Sequence, residues 1–444
     1  MTTDATISEP GGNPADPGTS ADGAPSRRTR RAAVAGGVGT LIEGYDFSSY
    51  GYLSVFIAPL FFPNDDPVVS LLLTLVVFAT AYLARPLGGI AFGLVGDRVD
   101  RGRVLVATIL LMGVATTLIG LLPTHTTIGV TATVLLILLR LVQGFSVGAE
   151  VAGAATFVSE AAPNRYKSRF GAFNPAGATF GFGLAAAVAG LTSALTTEQQ
   201  MAEWGWRIPF LISLPLTVVC FIIRRRITTE SHSVATVAGT TTSLLDVVRV
   251  GRIAILKGAG LSAAVNGTAY FGLTYVSIHL IQQLGYPKTA VYWVVTVVVM
   301  ITALLMLPVG RLGDRVDLPK LGAIGMVGYL AVTWVGMWLM GLGSLALAAV
   351  AFMVIMINSS FLQVTGYALS PEIYPRAIRF TGMSLGWNIG VIIAGGTAPA
   401  LCVWLVEATG APTAPAFFVM LAAAVGLVSV WAIARGPRPG RIGG

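Results

Sequence analysis

The feature that most limits the folds open to this chain is a series of apolar runs, each long enough to cross a bilayer, separated by short charged loops. Marked off at turn and charge signals, the runs fall at residues 32–62, 68–96, 104–122, 127–160, 168–196, 207–226, 253–284, 288–311, 319–340, 343–370, 377–407 and 413–434. About 20 apolar residues in a helix span the hydrocarbon core. In lipid, only helices and closed barrels satisfy every backbone polar group. The expected fold class is therefore an all-α polytopic membrane protein with twelve transmembrane helices. Composition agrees, since only 11% of the residues are charged, against roughly a quarter in soluble domains.

The basic residues set the expected orientation. With both termini cytoplasmic, the inner segments hold all of the 28 Lys and Arg residues except Arg85, Arg140, Arg207 and Lys288. That asymmetry is the positive-inside pattern. The net charge of +8 is then a topology signal spread over short loops, and it gives no support to nucleic-acid binding. Residues 1–31 are expected to form a cytoplasmic tail, because the first 26 are rich in Gly, Pro, Ala, Ser and Thr and lack periodicity. The basic stretch from Arg27 could open an export signal, but the apolar run behind it is too long for a signal core and contains Glu43 and Asp46. Cys220 and Cys402 lie in apolar runs and read as packing residues. His125, His232 and His279 stand apart, and no zinc spacing, phosphate loop or nucleophile elbow occurs. Neither a metal, an ATP-driven cycle nor an enzyme activity gains support, and no cofactor is expected beyond a proton as coupling ion.

The chain repeats itself. "GLVGDRVDRGRVL" from Gly93 recurs as "GRLGDRVDLPKLG" from Gly310, and "SEAAPNRYKSRFG" from Ser159 recurs as "SPEIYPRAIRFTG" from Ser370. Two six-helix bundles in parallel order are expected, at residues 32–226 and 253–435, with a cytoplasmic linker at 227–252 and a short tail at 436–444. Parallel six-span repeats with a substrate site between the halves describe one large transporter architecture.

Five segments in matching order carry a family resemblance: "GTLIEGYDFSSYG" from Gly39, "RPLGGIAFGLVGDRVDRGRVL" from Arg85, "RLVQGFSVGAEVAGA" from Arg140, "WGWRIPFLIS" from Trp204 and "RFTGMSLGWNIGVIIAGGTAP" from Arg379. Together they resemble the major facilitator superfamily, and within it the metabolite:proton symporter family. The sequence departs from that pattern at Gly44, where the family usually has Trp, and at Asp100 and Gly102, where Gly and a basic residue are usual. The short stretch after the last run gives no expectation of the coiled-coil extension found in osmosensing members. The resemblance implies a gating loop at Gly93, Asp97, Arg98, Arg101 and Arg103. A weaker twin is expected at Gly310, Asp314 and Arg315, and Glu160, Arg169, Glu372 and Arg379 are expected to add a charge network on the same face.

Helical spacing indicates which polar groups share a stripe. Glu43, Asp46 and Tyr50 do so in the first span, and Arg140, Gln143 and Glu150 in the fourth. Ser262, Asn266, Tyr270 and Ser277 follow in the seventh, and Thr381, Ser384 and Asn388 in the eleventh. Ionisable residues at such depth are costly, and they face cavities or one another. Burial penalises the charged form of a carboxyl group, and a protonated one is neutral and cheaper to carry across the bilayer. Asp46, Glu43 and Glu150 are therefore the expected proton-coupling residues, with Asp46 preferred. The alternative is a buried ion pair, Asp46 with Arg140, that only joins two helices. Arg140 is the candidate for a substrate carboxylate, since a guanidinium pairs both oxygens at once, with a part in proton coupling or a purely structural pairing as the alternatives. Gln143, Asn266 and Asn388 are candidate hydrogen-bonding groups. Tyr50, Tyr270 and Trp387 are candidates for cation–π contact with an ammonium group.

The expected function is proton-coupled symport of a small organic acid by alternating access across a plasma (inner) membrane, by a chain working as a monomer in the lipid bilayer. A zwitterion such as proline or a betaine is the alternative substrate. An antiporter exporting drugs or metabolites is the alternative of another class.

Overall fold

The computed structural model describes residues 27–96, 101–148, 151, 153–155, 158, 162–228, 244–375 and 378–436. Each apolar run holds a helix over its described residues. In chain order these are α1 (Arg27–Phe61), α2 (Pro67–Gly96), α3 (Arg101–Leu121), α4 (Val130–Val147), α5 (Lys167–Leu195), α6 (Arg207–Thr228), α7 (Leu244–Tyr270), α8 (Lys288–Gly313), α9 (Leu318–Met340), α10 (Leu345–Ile373), α11 (Arg379–Thr409) and α12 (Pro415–Arg435). Among the described residues, eight helices are long and apolar enough to cross a membrane, or nine if Glu198–Gly205 and Arg207–Ile223 form one span bent by 48°. Glu43 and Asp46 interrupt the apolar character of α1, and Asp246, Arg249, Arg252 and Lys257 that of α7. Outward-facing Leu83, Leu121, Leu195, Leu256, Leu421 and Val428 are more than half exposed. Apolar surface on that scale needs lipid around it.

The helix pairings repeat under a shift of six. α1 packs on α5 as α7 does on α11, α2 on α4 as α8 on α10, and α3 on α6 as α9 on α12. The seams between the two sets are α2 with α11 and α5 with α8, a pair that the same shift interchanges. Small residues let some of these backbones touch. A Cβ at Gly44 of α1 would strike the Ala178 carbonyl of α5, and one at Gly144 of α4 would strike the Ala81 carbonyl of α2. The α1–α5 contact accounts for the small residue at 44, since no Trp fits there.

Among the described residues, four wide π turns interrupt the regular winding. Met201–Gly205 precedes α6, Phe271–Tyr275 and His279–Gln283 prolong α7, and Val391–Gly395 lies within α11. Contacts between the halves occur towards both ends of the bundle. Tyr292 O–H donates to the Tyr52 carbonyl at 2.8 Å, and Lys288 Nζ stands 2.7 Å from Glu198 Oε2. Towards the arginine-rich end, Arg169 of α5 meets Asp314 after α8.

Candidate functional site

The two acids of α1 share a stripe but have different neighbours. Glu43 meets α2, where its Oε1 accepts from Arg85 Nη2 at 3.2 Å. Asp46 meets α6 and α3. Its Oδ1 accepts from Ser213 Oγ at 2.6 Å, and Thr116 of α3 stands nearby with its own hydroxyl donating to the Met112 carbonyl at 2.9 Å. Asp46 is fully buried, and its Oδ2 has no hydrogen-bond partner among the described residues. A buried acceptor left unmatched is costly, and a bound proton would remove the charge that makes it so.

Arg140 of α4 is also fully buried. Its Nη1 donates to Gln143 Oε1 at 2.9 Å and its Nη2 to the Phe78 carbonyl at 3.2 Å. The guanidinium lies over the rings of Tyr50, Phe78 and Phe47 at 4.3, 5.1 and 5.2 Å. Tyr50 is held in that position by its own O–H, which donates to the Thr74 carbonyl at 3.1 Å. The ion pair of Asp46 with Arg140 entertained from the spacing does not form. One turn along α4, Gln143 reaches the guanidinium first and passes the link to α3, its Nε2 donating to Thr116 Oγ1 at 2.7 Å. Gln143 thus links Arg140 to Thr116 of α3, which stands next to Asp46.

Arg85 of α2, which is 4% exposed, also faces the other half. It lies over Tyr82 at 4.5 Å and Phe47 at 4.6 Å. Tyr270 of α7 and Tyr367 of α10 are close enough to interact with it electrostatically. Tyr270 packs edge-on against Tyr82 at 5.4 Å and Phe182 at 5.8 Å, and Trp387 of α11 packs against Tyr367 at 5.1 Å. The Glu43–Arg85 pair therefore sits between the halves, flanked by aromatic rings from both. The candidate amides turn back on their own helices. Asn266 Nδ2 donates to the Ser262 carbonyl and Asn388 Nδ2 to the Ser384 carbonyl, both at 2.9 Å. Ser262 Oγ ties α7 to α11 by donating to the Trp387 carbonyl at 2.7 Å.

Spacing arguments did not pick out Arg85, Tyr82, Tyr367, Thr116 or Ser213. Arg85 did carry a signal, a charge in mid-run that is a functional candidate by default. Single hydroxyls such as Thr116 and Ser213 carried none.

At the arginine-rich end, Asp314 Oδ1 accepts from the Arg169 backbone N–H at 3.0 Å, and Arg169 Nε stands 3.3 Å from Oδ2. Gly310 and Gly313 let the end of α8 approach Ser168 and Ala172 of α5. Arg315 is exposed, whereas Glu372 and Arg379 are buried. Asp97, Arg98, Glu150 and Glu160 lie outside the described residues. So do the side chains of Arg101 and Arg103, whose backbones begin α3, while Gly93 lies in the last turn of α2.

Residues 32–231 match the family model for sugar and other transporters, and residues 259–443 match the model of the major facilitator superfamily. The ectoine/proline transporter of Corynebacterium glutamicum is 34% identical over 423 residues, covering 91% of this chain and 84% of that protein. A proline/betaine transporter of Salmonella typhimurium is 34% identical over 416 residues, covering 90% and 83%. Among solved structures, a D-xylose–proton symporter superposes with a TM-score of 0.70 at 15% identity, covering 93% of this chain and 98% of that one.

Proposed function

Since the chain belongs to the major facilitator superfamily of multi-pass membrane transporters, we propose that it is a proton-coupled symporter importing a small zwitterion of the proline or betaine type. This replaces the small organic acid expected from the sequence. Relatives named for proline, betaine and ectoine favour that class, and the observation that carries it is the Glu43–Arg85 pair between the halves. A zwitterion brings one charge for each partner. Its carboxylate takes the Arg85 guanidinium, while its ammonium takes Glu43 and the faces of Tyr82, Tyr270, Tyr367 and Trp387. A plain dicarboxylate would leave Glu43 facing a like charge.

In this scheme Asp46 holds the coupling proton, and Ser213 fixes its carboxyl. Arg140, walled in by Tyr50 and Phe78, positions Gln143 and Thr116 and leaves the substrate to Arg85. Glu43, expected beside Asp46 as a second coupling acid, serves the ammonium instead. Asn266 and Asn388 line the cleft with their carbonyl oxygens. The twelve helices form two bundles, residues 32–226 and 253–435, joined by a linker at 227–252, and both termini are cytoplasmic. The protein works as a monomer in the inner membrane with no cofactor other than the proton. The Arg169–Asp314 brace holds the cytoplasmic end closed and breaks for release inward.

The test is uptake into proteoliposomes of labelled proline, betaine, ectoine, 2-oxoglutarate, citrate and shikimate, with and without an inward proton gradient. Gradient-driven accumulation confined to the zwitterions is the expected result. Accumulation of the acids instead, or uptake indifferent to the gradient, overturns the reading.

A further inference from the structure

Beside the α5–α8 seam, at the arginine-rich end of the bundle, lies a cleft of about 400 Å³ bounded by the start of α1, the start of α5 and the end of α8. Its wall is apolar, formed by side chains such as Val34, Phe173 and Leu307, and its rim carries Arg30, Arg169 and Arg311. Arg169 turns its Nε towards Asp314. Arg30 and Arg311 are exposed, and among the described residues no carboxylate lies within ion-pairing distance of either. Two uncompensated guanidinium groups thus converge on an apolar wall where the helices leave the hydrocarbon region. A soluble anion would use the charges and leave the wall wet, whereas a phospholipid carries a group for each.

We propose that this cleft binds an anionic phospholipid, its phosphate bridging Arg30 and Arg311 and an acyl chain lying along Val34, Phe173 and Leu307. Guanidinium pairs phosphate in a bidentate fashion, and basic pockets between helices at the inner leaflet are suited to acidic head groups. Arg30 belongs to the first half of the chain and Arg311 to the second. A head group shared between them is therefore a second staple beside Arg169 and Asp314, and it favours closure of that end. The site is separate from the Glu43–Arg85 pair, so the proposal stands whatever the substrate is.

The test uses the full chain reconstituted in phosphatidylcholine vesicles with and without phosphatidylglycerol. Retained lipid is read by native mass spectrometry, and closure by spin-label distances between the ends of α5 and α8. The wild type should retain phosphatidylglycerol in preference to phosphatidylcholine and shift towards the shorter distance in its presence. Arg30→Gln with Arg311→Gln should lower that retention about tenfold, the factor a lost charge-assisted contact carries, and Arg30→Lys with Arg311→Lys should restore most of it. Competition by inorganic phosphate at equal effectiveness would make the ligand a soluble anion and overturn the proposal. Equal retention by wild type and the Gln double variant would place the lipid elsewhere and overturn it too. Should the Gln variant fail to fold, the wild-type preference and its phosphate competition decide the matter alone.

Discussion

Asp46 and Arg140 do not touch: Gln143 bonds Arg140 and Thr116, while the Thr116 hydroxyl beside Asp46 is given to the Met112 carbonyl. Asp46 therefore keeps one carboxyl oxygen for a proton, apart from the groups that satisfy Arg140. Asp46→Asn should therefore abolish gradient-driven accumulation while sparing downhill exchange, measured in proteoliposomes with internal substrate. Loss of both, with a folded protein, would make Asp46 structural only. Ser213→Ala removes one hydrogen bond, worth about 1 kcal/mol or roughly fivefold in the proton equilibrium, and should shift the pH at which uptake is half-maximal without abolishing it.

The Glu43–Arg85 pair is tested by a double-mutant cycle. Glu43→Gln or Arg85→Gln alone leaves an uncompensated buried charge, at a cost of about 3–5 kcal/mol in stability. The double variant should recover much of the thermal stability and none of the substrate binding. Recovery of transport together with stability would show that the pair only braces α1 against α2.

The aromatic flank predicts a split between ring and hydroxyl. Tyr270→Phe keeps the π face and should change the KM for a quaternary ammonium substrate little. Tyr270→Leu loses a desolvated cation–π contact of about 2 kcal/mol, some thirtyfold in KM. Equal effects of the two substitutions would point to the hydroxyl instead.

Gly44→Trp places the usual family residue where α1 meets the Ala178 carbonyl. Overpacking of this kind costs about 1–3 kcal/mol or more, so the variant should be recovered from membranes in low yield, with Gly44→Ala intermediate. Size-exclusion profiles of the detergent-solubilised proteins give the comparison.

Asp314 lies outside the spanning segments, and burial pushes its carboxyl above the usual carboxylate range while the backbone and guanidinium of Arg169 pull it back. A raised value means that the folded chain holds this proton more tightly than the unfolded one. The resulting stability is present in full below the ordinary carboxylate value and is lost as pH rises through the raised one. Asp314→Asn should flatten the slope of Tm against pH over that acid range. An unchanged slope would assign the dependence to other groups.

Much of this architecture was readable from apolar run length, because lipid leaves the backbone so few choices. The site was less readable, for identifiable reasons. The stripe drawn through Ser262, Asn266, Tyr270 and Ser277 assumed regular winding, but the π turn at Phe271–Tyr275 intervenes and Ser277 ends up bonded to the Thr274 carbonyl. Spacing along α1 put Glu43 and Asp46 on one stripe, but it says nothing about which helix stands opposite each one. The partners Arg85 and Ser213 lie 42 and 167 residues away, and only tertiary packing brings them in.

Gly44 lets α1 and α5 lie backbone against backbone, and α5 also bears Arg169, the cationic half of the ion pair with Asp314. The α1 acids and that distant pair therefore ride on one welded beam. Under the proposed scheme, a hydrogen ion settling near the middle of the bundle needs no long relay to the far end, because the member it lands on already extends that far.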